Sequence, residues 1–308
     1  MSGRHHGILL VDKPAGKTSQ SAVQVIKRAS GVRRVGHAGT LDPGATGLLV
    51  VGLGAGTRLL TFLVGLPKTY RAGIRLGIAT DTDDADGVVT ETPGCPADID
   101  IREAVLQLTG QQLQVPSKVS AVKVDGKRAY QRVREGEVVD LPARAVTVES
   151  FSVEQQTATL VDGVAVVDLV IEVAVSTGTY VRALARDLGA ALGTAGHVTQ
   201  LRRTSVGPFR LSEAEPLDSY SGAAALKPLG EVAAQVLPTK TVTQPEAWAV
   251  AHGQRIPTES VTTEKLALLN GDGDLLAVAS VEDGRYRYAM VVPLPAIPAF
   301  AADSGTLG

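Results

Sequence analysis

Several sequence features that mark particular classes of protein are rare or absent in this 308-residue chain. Its single cysteine, Cys95, excludes an internal disulfide and any zinc site built from cysteines. No apolar run approaches the roughly 18 residues that a membrane-spanning helix needs, so we expect no membrane association. Residues 1–14 lack the apolar core of a secretion signal, which together with the cysteine content predicts a cytoplasmic protein.

Acidic residues are also scarce in one part of the chain. Asp42 is the only acid between Lys13 and Asp81, whereas residues 1–60 hold eight lysines and arginines. Residues 101–150 also carry more basic than acidic residues, although the whole chain has a net charge of −2. Such local positive charge is typical of a polyanion site. An ordinary solvated surface is the alternative, but we would not expect it to leave so long a stretch without acids.

The hydrophobic pattern predicts an α+β fold. Buried or half-buried strands are predicted at 7–11, 46–52, 70–76 and 164–175. Helices are predicted from a Thr18 or Ser19 cap to Gly31, over 57–64, where the pattern is ambiguous, and over 180–193. Since strands and helices do not alternate regularly, we predict a mixed, largely antiparallel sheet flanked by helices.

The C-terminal part of the chain has a different composition. Residues 216–245 contain proline- and alanine-rich stretches, which indicate a domain boundary. Short strands are predicted beyond it at 265–270, 275–281 and 285–292, the last two joined by a Glu282-Asp283-Gly284 hairpin turn. We therefore predict a larger domain over residues 1–235 and a small all-β domain over residues 236–308.

Two glycine- or aspartate-rich segments resemble ligand motifs without matching them. Residues 81–87, DTDDADG, resemble a calcium loop, but Ala85 occupies a ligand position and no glutamate follows at the right distance. Residues 52–57, GLGAGT, lack the lysine of a phosphate-binding loop. Both segments are predicted to be turns. The five histidines show no metal-ligand spacing, so no metal site is predicted.

Residues 33–47, RRVGHAGTLDPGATG, place one carboxylate among four glycines and after two arginines and a histidine. Glycines let the backbone bend sharply and let a ligand approach closely. An aspartate before a proline often caps a turn instead. The residues alone therefore leave open whether Asp42 is structural or does chemistry.

Four segments together resemble a known family. They are DKPAGKTS (12–19), RRVGHAGTLDPGATG (33–47), KTYRA (68–72) and STGTYVRALARDLG (176–189), the last followed by LRRTSVG (201–207). In this order and at this spacing they resemble the TruB-type bacterial tRNA pseudouridine synthases. The second segment matches that family's GHxGxLDPxAxG signature and the fourth its GTYxRxLxxDLG signature. The resemblance runs from about residue 7 to residue 210.

One segment within the resemblance departs from the family pattern. Where the family usually reads P-P-x-Y-S-A, this chain has Pro116-Ser117-Lys118-Val119-Ser120-Ala121. The change removes an aromatic side chain that would help to contact RNA. It affects the detailed contacts of this segment and not the expected chemistry.

The resemblance implies isomerisation of uridine 55 in the T loop of tRNA. The base is detached from C1′, turned, and reattached through C5, with no cofactor, no metal and no protein partner, by a monomer. The implied fold is the pseudouridine synthase fold, with an RNA-binding insertion at about 112–145 and a small C-terminal all-β PUA-like barrel. That barrel agrees with the strands predicted beyond residue 236.

The resemblance also assigns roles in the reaction. It implies that Asp42 is the nucleophile or the stabiliser of positive charge at the sugar, as carboxylates are in glycoside hydrolases. Arg182 pairs with Asp42 and keeps it ionised in a dry site. Tyr70 stacks on the uracil, while Tyr180 and Leu201 complete the pocket, Tyr180 by hydrogen bonding and Leu201 as an apolar wall. The residues alone are equally compatible with Arg182 as an exposed arginine on a surface helix. They are also compatible with Tyr70, Tyr180 and Leu201 as ordinary core residues.

The remaining assignments concern the RNA. A uridine inside a folded loop has to be flipped out, and the resemblance makes His37 the residue that holds the vacated space. It implies that Lys13 and Pro14 support the catalytic loop, with Lys13 near a phosphate. The residues expected to contact the RNA backbone are Arg33, Arg34, Arg202 and Arg203, together with Lys123, Lys127 and Arg128 of the insertion.

Two other functions are compatible with this scaffold. One is a non-catalytic tRNA-binding or tRNA-folding factor, and the other is a synthase that acts on a different RNA. The intact set of Asp42, Tyr70 and Arg182 favours an enzyme over a binding factor.

Overall fold

The computed structural model of the protein describes residues 5–117, 123–124, 127–128, 141–222, 226–259 and 264–298. The chain forms two compact units. The first unit comprises Met1–Pro43, Gly47–Val64 and Gly207–Gly308, and the second comprises Gly44–Thr46 and Gly65–Val206. The predicted boundary between residues 235 and 236 lies within the first unit, and the division at that point stays a prediction.

Strands and helices follow one another irregularly along the chain. The strands are β1 Gly7–Lys13, β2 Val35–Ala38, β3 Thr46–Leu53, β4 Lys68–Leu76, β5 Ala79–Thr80, β6 Val89–Glu91, β7 Gly110–Gln114, β8 Lys123–Val124, β9 Lys127–Arg128, β10 Arg144–Val161, β11 Val164–Val175, β12 Gly196–Val206, β13 Phe209–Arg210, β14 Glu215–Pro216, β15 Thr239–Thr241, β16 Leu266–Leu269, β17 Leu275–Glu282 and β18 Arg285–Val291. The helices are α1 Ser19–Ser30, α2 Gly56–Leu63, α3 Arg102–Gln107, α4 Val181–Ala191, α5 Leu229–Val236 and α6 Gln244–Ala251. The predicted α+β class is confirmed.

The first unit builds its N-terminal core between a sheet and one helix. Strand β1 pairs antiparallel with β3 and parallel with β14, and β3 also pairs antiparallel with β2. Helix α1 begins after Thr18, whose Oγ1 accepts a hydrogen bond from the Ser21 amide at 2.9 Å. It ends at Gly31, which adopts a φ of 69° that a side chain would disfavour. The predicted strands and this helix are therefore confirmed.

The ambiguous segment at 57–64 forms helix α2. Leu59, Leu60 and Leu63 are buried on one side of it, and this apolar stripe stabilises a helix that follows a tight turn. The turn contains Gly54 with a φ of 56°, as predicted for the GLGAGT segment.

The second unit contains an antiparallel sheet in the order β12-β4-β11-β10-β7. Side chains of β4 alternate between buried and more exposed as predicted, and β11 has the predicted bounds. Helix α4 packs on β12 and buries Val181, Leu184 and Leu188, which confirms the predicted amphipathic helix.

The strand-rich tail differs from its prediction. Strands β15-β16-β17-β18 form a sheet in that order, and Asp283 and Gly284 form the predicted hairpin turn with φ values of 52° and 67°. Among the described residues this sheet is open at both ends, so a closed PUA-like barrel is not confirmed. The tail is also not all-β, because a capping box between Thr243 and Glu246 begins helix α6.

In the part of the chain that the structure describes, no helix is long and apolar enough to cross a membrane.

Candidate active site

Asp42 lies in the loop between β2 and β3, and the backbone on both sides of it is held in place. The Ser19 hydroxyl, at the start of α1, donates to the Leu41 carbonyl at 3.0 Å and accepts from the Leu41 amide at 2.8 Å. The Gly16 amide donates to the Pro43 carbonyl at 2.9 Å. Leu41 is buried, whereas Asp42 is half-buried. The loop is therefore anchored on both sides of Asp42, which is itself only partly buried.

Lys13 contributes to the same anchoring. Its side chain is fully buried at the end of β1, and its Nζ donates to the carbonyls of Pro14 at 2.9 Å, Lys17 at 2.6 Å and Pro43 at 3.3 Å. This geometry agrees with the loop-supporting role expected of Lys13 and Pro14. The expected phosphate contact is not supported, because a fully buried ammonium presents no surface to RNA.

Arg33, Arg34 and His37 line one surface cleft of about 600 Å³. The rest of its wall consists of Val35 and Gly36 on the same segment and of Thr57, Leu60, Thr61 and Val64 on or next to α2. Both arginines are exposed. We call this feature the basic cleft. The structure thus brings together three of the residues that the sequence assigned to RNA.

In the second unit, Tyr70 and Leu201 share one face of the sheet. In the antiparallel register Tyr70 lies opposite Arg203, and Ala72 lies opposite Leu201. Directly opposed side chains point to the same face, so this face carries Tyr70, Leu201 and Arg203. Tyr70 is 9% exposed and Leu201 is half-buried.

The two arginines of LRRTSVG occupy different environments. Arg203 is 1% exposed, so the structure places it inside the unit and corrects the expected contact with the RNA backbone. Arg202 belongs to the opposite face, is half-buried, and donates from Nη1 to Thr46 Oγ1 at 3.2 Å. The strand alternation accounts for the difference, because neighbouring residues of a strand point to opposite faces.

Lys68 lies on the same face as Tyr70, two residues earlier in β4. Lys68 is 7% exposed, and its Nζ donates to the Leu66 carbonyl at 2.6 Å. Burial, and then the positive charge of Arg203, lower the pKa of Lys68 to about 8. Sequence reasoning gave Lys68 no role, although its place in the alternating pattern of β4 already assigned it to the buried face.

Arg182 is buried in the first turn of α4, with 5% of its surface exposed, and so is not a surface helix arginine. Its Nη1 donates to the Thr82 carbonyl at 2.9 Å and to Asp84 Oδ2 at 3.0 Å. Sequence reasoning missed Asp84. Arg182 and Asp42 belong to different units, and the pairing expected between them stays a prediction.

Residues 81–87 form the predicted turn, which connects β5 and β6. The turn also receives Arg186 of α4, whose Nη1 lies 3.3 Å from Asp83 Oδ2. It closely approaches Gly44, since a Cβ on Gly44 would lie 3.0 Å from Asp86 Oδ2. The segment that sequence reasoning treated as a simple connection therefore holds the start of α4.

Tyr180 is the residue before α4, and its backbone forms hydrogen bonds with the side chain of Gln114. The Tyr180 amide donates to Gln114 Oε1 at 2.8 Å, and the Tyr180 carbonyl accepts from Gln114 Nε2 at 3.2 Å. Sequence reasoning assigned no role to Gln114.

Several expected contacts lie outside the described residues. The backbones of Lys123, Lys127 and Arg128 belong to the two-stranded β8–β9 sheet, but their side chains are outside the described part, as is the segment beginning at Lys118. Ser117, where the family pattern has a proline, is fully buried. Over the described part of the chain, no cluster of three or more histidine, cysteine or carboxylate side chains is arranged to hold a metal ion.

Comparison with known proteins assigns the chain to a family. Residues 27–181 match the family model of the TruB family pseudouridylate synthase N-terminal domain, and residues 182–227 match that of the tRNA pseudouridylate synthase B C-terminal domain. The chain is 44% identical over 299 residues to the tRNA pseudouridine synthase B of Arthrobacter sp. strain FB24, covering 94% of this chain and 97% of that protein. It is 48% identical over 291 residues to the protein of the same name from Thermobifida fusca strain YX, covering 92% and 98%.

Solved structures show the same fold at lower identity. The crystal structure of a Cbf5-Nop10-Gar1 complex contains a chain with a TM-score of 0.70 and 24% identity, which covers 94% of this chain and 86% of that one. The structure of an H/ACA RNP bound to a substrate RNA containing 2′-deoxyuridine gives a TM-score of 0.69 at 22% identity, covering 97% and 89%. The two family models and the near full-length relatives together show that the chain belongs to the TruB family of pseudouridylate synthases.

Proposed function

We propose that the protein converts uridine 55 in the T loop of tRNA to pseudouridine, and that Asp42 is the residue that reacts with or stabilises the detached sugar. Members of the family are isomerases, and the relatives from Arthrobacter and Thermobifida bear the name tRNA pseudouridine synthase B. One observation carries the assignment of Asp42. Its neighbours Leu41 and Pro43 are anchored by hydrogen bonds, while Asp42 itself is only half-buried.

The proposed reaction breaks the bond between C1′ and N1 and forms one between C1′ and C5, after which C5 loses its proton and N1 gains one. A carboxylate suits this chemistry either as a nucleophile or as a stabiliser of positive charge at the sugar. No redox step occurs, and the proposal assigns no cofactor. The fixed loop supports the role because catalysis depends on groups held in position before the reaction.

Arg182 is proposed to keep Asp42 ionised when the bound base has displaced water. Arginine suits this role because its guanidinium stays charged and has five N–H donors. Asp84 and the Thr82 carbonyl orient Nη1. The burial of Arg182 in the first turn of α4 supports a role in a dry site.

Tyr70 is proposed to stack on the uracil, with Leu201 as an apolar wall and Tyr180 as a hydrogen-bonding partner. Stacking of a base on an aromatic side chain is worth roughly 1–3 kcal/mol. The shared face of Tyr70 and Leu201 in the sheet supports this arrangement.

The basic cleft is proposed to contact the RNA backbone. Phosphate contacts from Arg33 and Arg34 position the RNA but carry little sequence information, so recognition of uridine 55 rests on the shape of the T loop. His37, in the wall of the same cleft, is proposed to occupy the space that the flipped base leaves. We propose that the enzyme acts as a cytoplasmic monomer without a protein partner.

The test uses a tRNA transcript labelled with tritium at C5 of uridine. Wild-type protein should release tritium from one site, and Asp42→Asn should release none while its affinity for tRNA stays within about tenfold, since phosphate contacts dominate affinity. Asp98→Asn, at an exposed aspartate, is the matched control and should behave as the wild type. Turnover by Asp42→Asn would remove Asp42 from the reaction.

The same assay separates the alternatives. A non-catalytic tRNA-binding factor would bind the transcript and release no tritium even when protein and RNA are equimolar. A synthase for another RNA would release tritium from an rRNA hairpin in preference to an isolated T-arm stem-loop.

A further inference from the structure

Gln114 occupies an unusual position for a glutamine. It is the last residue of β7, its Cα lies opposite Arg144 of β10, and it is 1% exposed. Burial of a side-chain amide is costly unless both its oxygen and its nitrogen form hydrogen bonds. Here the amide forms two, and both go to the backbone of Tyr180.

The geometry fixes the orientation of this amide. The Tyr180 N–H is only a donor and its carbonyl only an acceptor, so Oε1 has to face the first and Nε2 the second. The Tyr180 carbonyl also accepts from the Leu184 amide at 3.0 Å, which is the first hydrogen bond of α4. Gln114 therefore pairs with the N–H and C=O of one residue, as a residue of a neighbouring strand would, and the carbonyl of that residue begins the helix.

A second contact from the same segment reaches α4. Arg186 Nη2 donates to the carbonyl of Val115 at 2.8 Å. Residues 114 and 115 thus hold the first two turns of α4 from one side, while the 81–87 turn holds Arg182 and Arg186 from another.

We propose that Gln114 is a positioning residue, which fixes Tyr180 and the first turn of α4 so that Tyr180 and Arg182 reach the reacting uridine. Gln114 itself touches no reacting atom. The inference rests on the proposed roles of Tyr180 and Arg182. It predicts that loss of the two hydrogen bonds slows the chemical step much more than it weakens RNA binding, because small misplacements of catalytic groups cost large factors in rate.

The experiment compares Gln114→Met with the wild type in single-turnover tritium release at saturating enzyme, together with the Kd for tRNA. Methionine keeps the length and the unbranched shape and removes both hydrogen bonds. We expect the rate constant to fall by roughly 10- to 100-fold, with the Kd within threefold. Gln111→Met, on the same strand but exposed, is the matched control and should match the wild type in both.

A wild-type rate in Gln114→Met would overturn the proposal, and so would a Kd that weakens by as large a factor as the rate falls. Gln114→Glu keeps an acceptor for the Tyr180 amide and carries the same test if the methionine variant does not fold. Where both variants fold, the rate constant of Gln114→Glu should fall less than that of Gln114→Met. An unchanged rate constant for Gln114→Glu would again overturn the proposal. Failure of the proposed function is a separate result, because the wild type itself would then release no tritium or Asp42→Asn would stay active.

Discussion

Lys68 and Arg203 are two buried cations on the face of the second unit's sheet that also carries Tyr70. The charged form of a buried lysine is disfavoured by desolvation, and a neighbouring positive charge adds to that effect. Both causes act in the same direction on Lys68 and bring its pKa to about 8. The folded state therefore carries an electrostatic cost at neutral pH.

This cost predicts a pH dependence of stability. Between about pH 8 and pH 10 the unfolded chain binds more protons at Lys68 than the folded protein does, so this residue makes the free energy of unfolding rise with pH. Well below pH 8 the cost is fully present, at about 3 kcal/mol for a pKa lowered from 10.5 to about 8. Lys68→Met should therefore raise the free energy of unfolding most, relative to the wild type, at pH 7. This increase should become smaller towards pH 10.

Urea unfolding at several pH values measures this difference. Lys27→Met, at an exposed position on α1, is the control and should differ from the wild type by a constant amount. A difference between Lys68→Met and the wild type that does not change with pH would contradict the burial of a charged Lys68.

At the scale of elements, the start of α1 supports the Asp42 loop. Ser19 is the first residue of α1, and its hydroxyl forms two hydrogen bonds to the peptide groups of Leu41. The helix therefore acts as a fixed base for this loop. Gly39, with a φ of 82°, allows the chain to turn from β2 into this loop.

Ser19→Ala should weaken this support. Loss of two buried hydrogen bonds should cost about 1–3 kcal/mol in unfolding free energy, and a looser loop should lower the single-turnover rate by roughly tenfold. Ser21→Ala is the control in the same helix, because its hydroxyl makes one exposed hydrogen bond, to the Thr18 carbonyl. Equal rates for the two variants would show that Ser19 has no influence on Asp42.

Helix α4 combines a buried apolar face with polar contacts to another segment. Its apolar side chains Val181, Leu184 and Leu188 are buried, and Arg182 and Arg186 extend from it to the 81–87 turn. The periodicity of the apolar residues predicted the helix. It did not predict that Arg182 would also be buried, since an arginine is buried only where partners such as Asp84 are provided by another segment.

At the scale of the whole molecule, the net charge of −2 conceals a concentration of basic residues near the N-terminus. Two of these basic residues, Arg33 and Arg34, are exposed and line the basic cleft beside His37. Local positive charge of this kind attracts a polyanion, and salt screens that attraction.

The affinity for tRNA should therefore fall steeply as salt rises. Replacing Arg33 and Arg34 together with glutamine should reduce the slope of log Kd against log salt by about 1–2. Arg102→Gln, at an exposed arginine paired with Asp100, is the control and should leave the slope unchanged. A flat salt response of the wild type would contradict the assignment of phosphate contacts.

Local signals determined much of this protein. Apolar alternation, a threonine cap and a terminal glycine predicted β4, β11, α1 and α4, because each of these signals can be recognised within a short stretch of sequence. Four ordered motifs likewise predicted the family and the residues of the candidate site. A closed barrel is not confirmed over the described residues, because strand signals do not state how a sheet closes. The capping box of α6 begins a helix within the tail that was predicted to be all-β.

The tertiary structure alone decided which distant groups meet. Asp84 reaches Arg182, Gln114 reaches the Tyr180 backbone, and Lys13 reaches the Pro43 carbonyl across 98, 66 and 30 residues. It also placed Arg203 inside the unit and its neighbour Arg202 on the other face of the sheet. No local pattern encodes such contacts, because they depend on strand register and helix packing, which bring residues together only when the chain has folded.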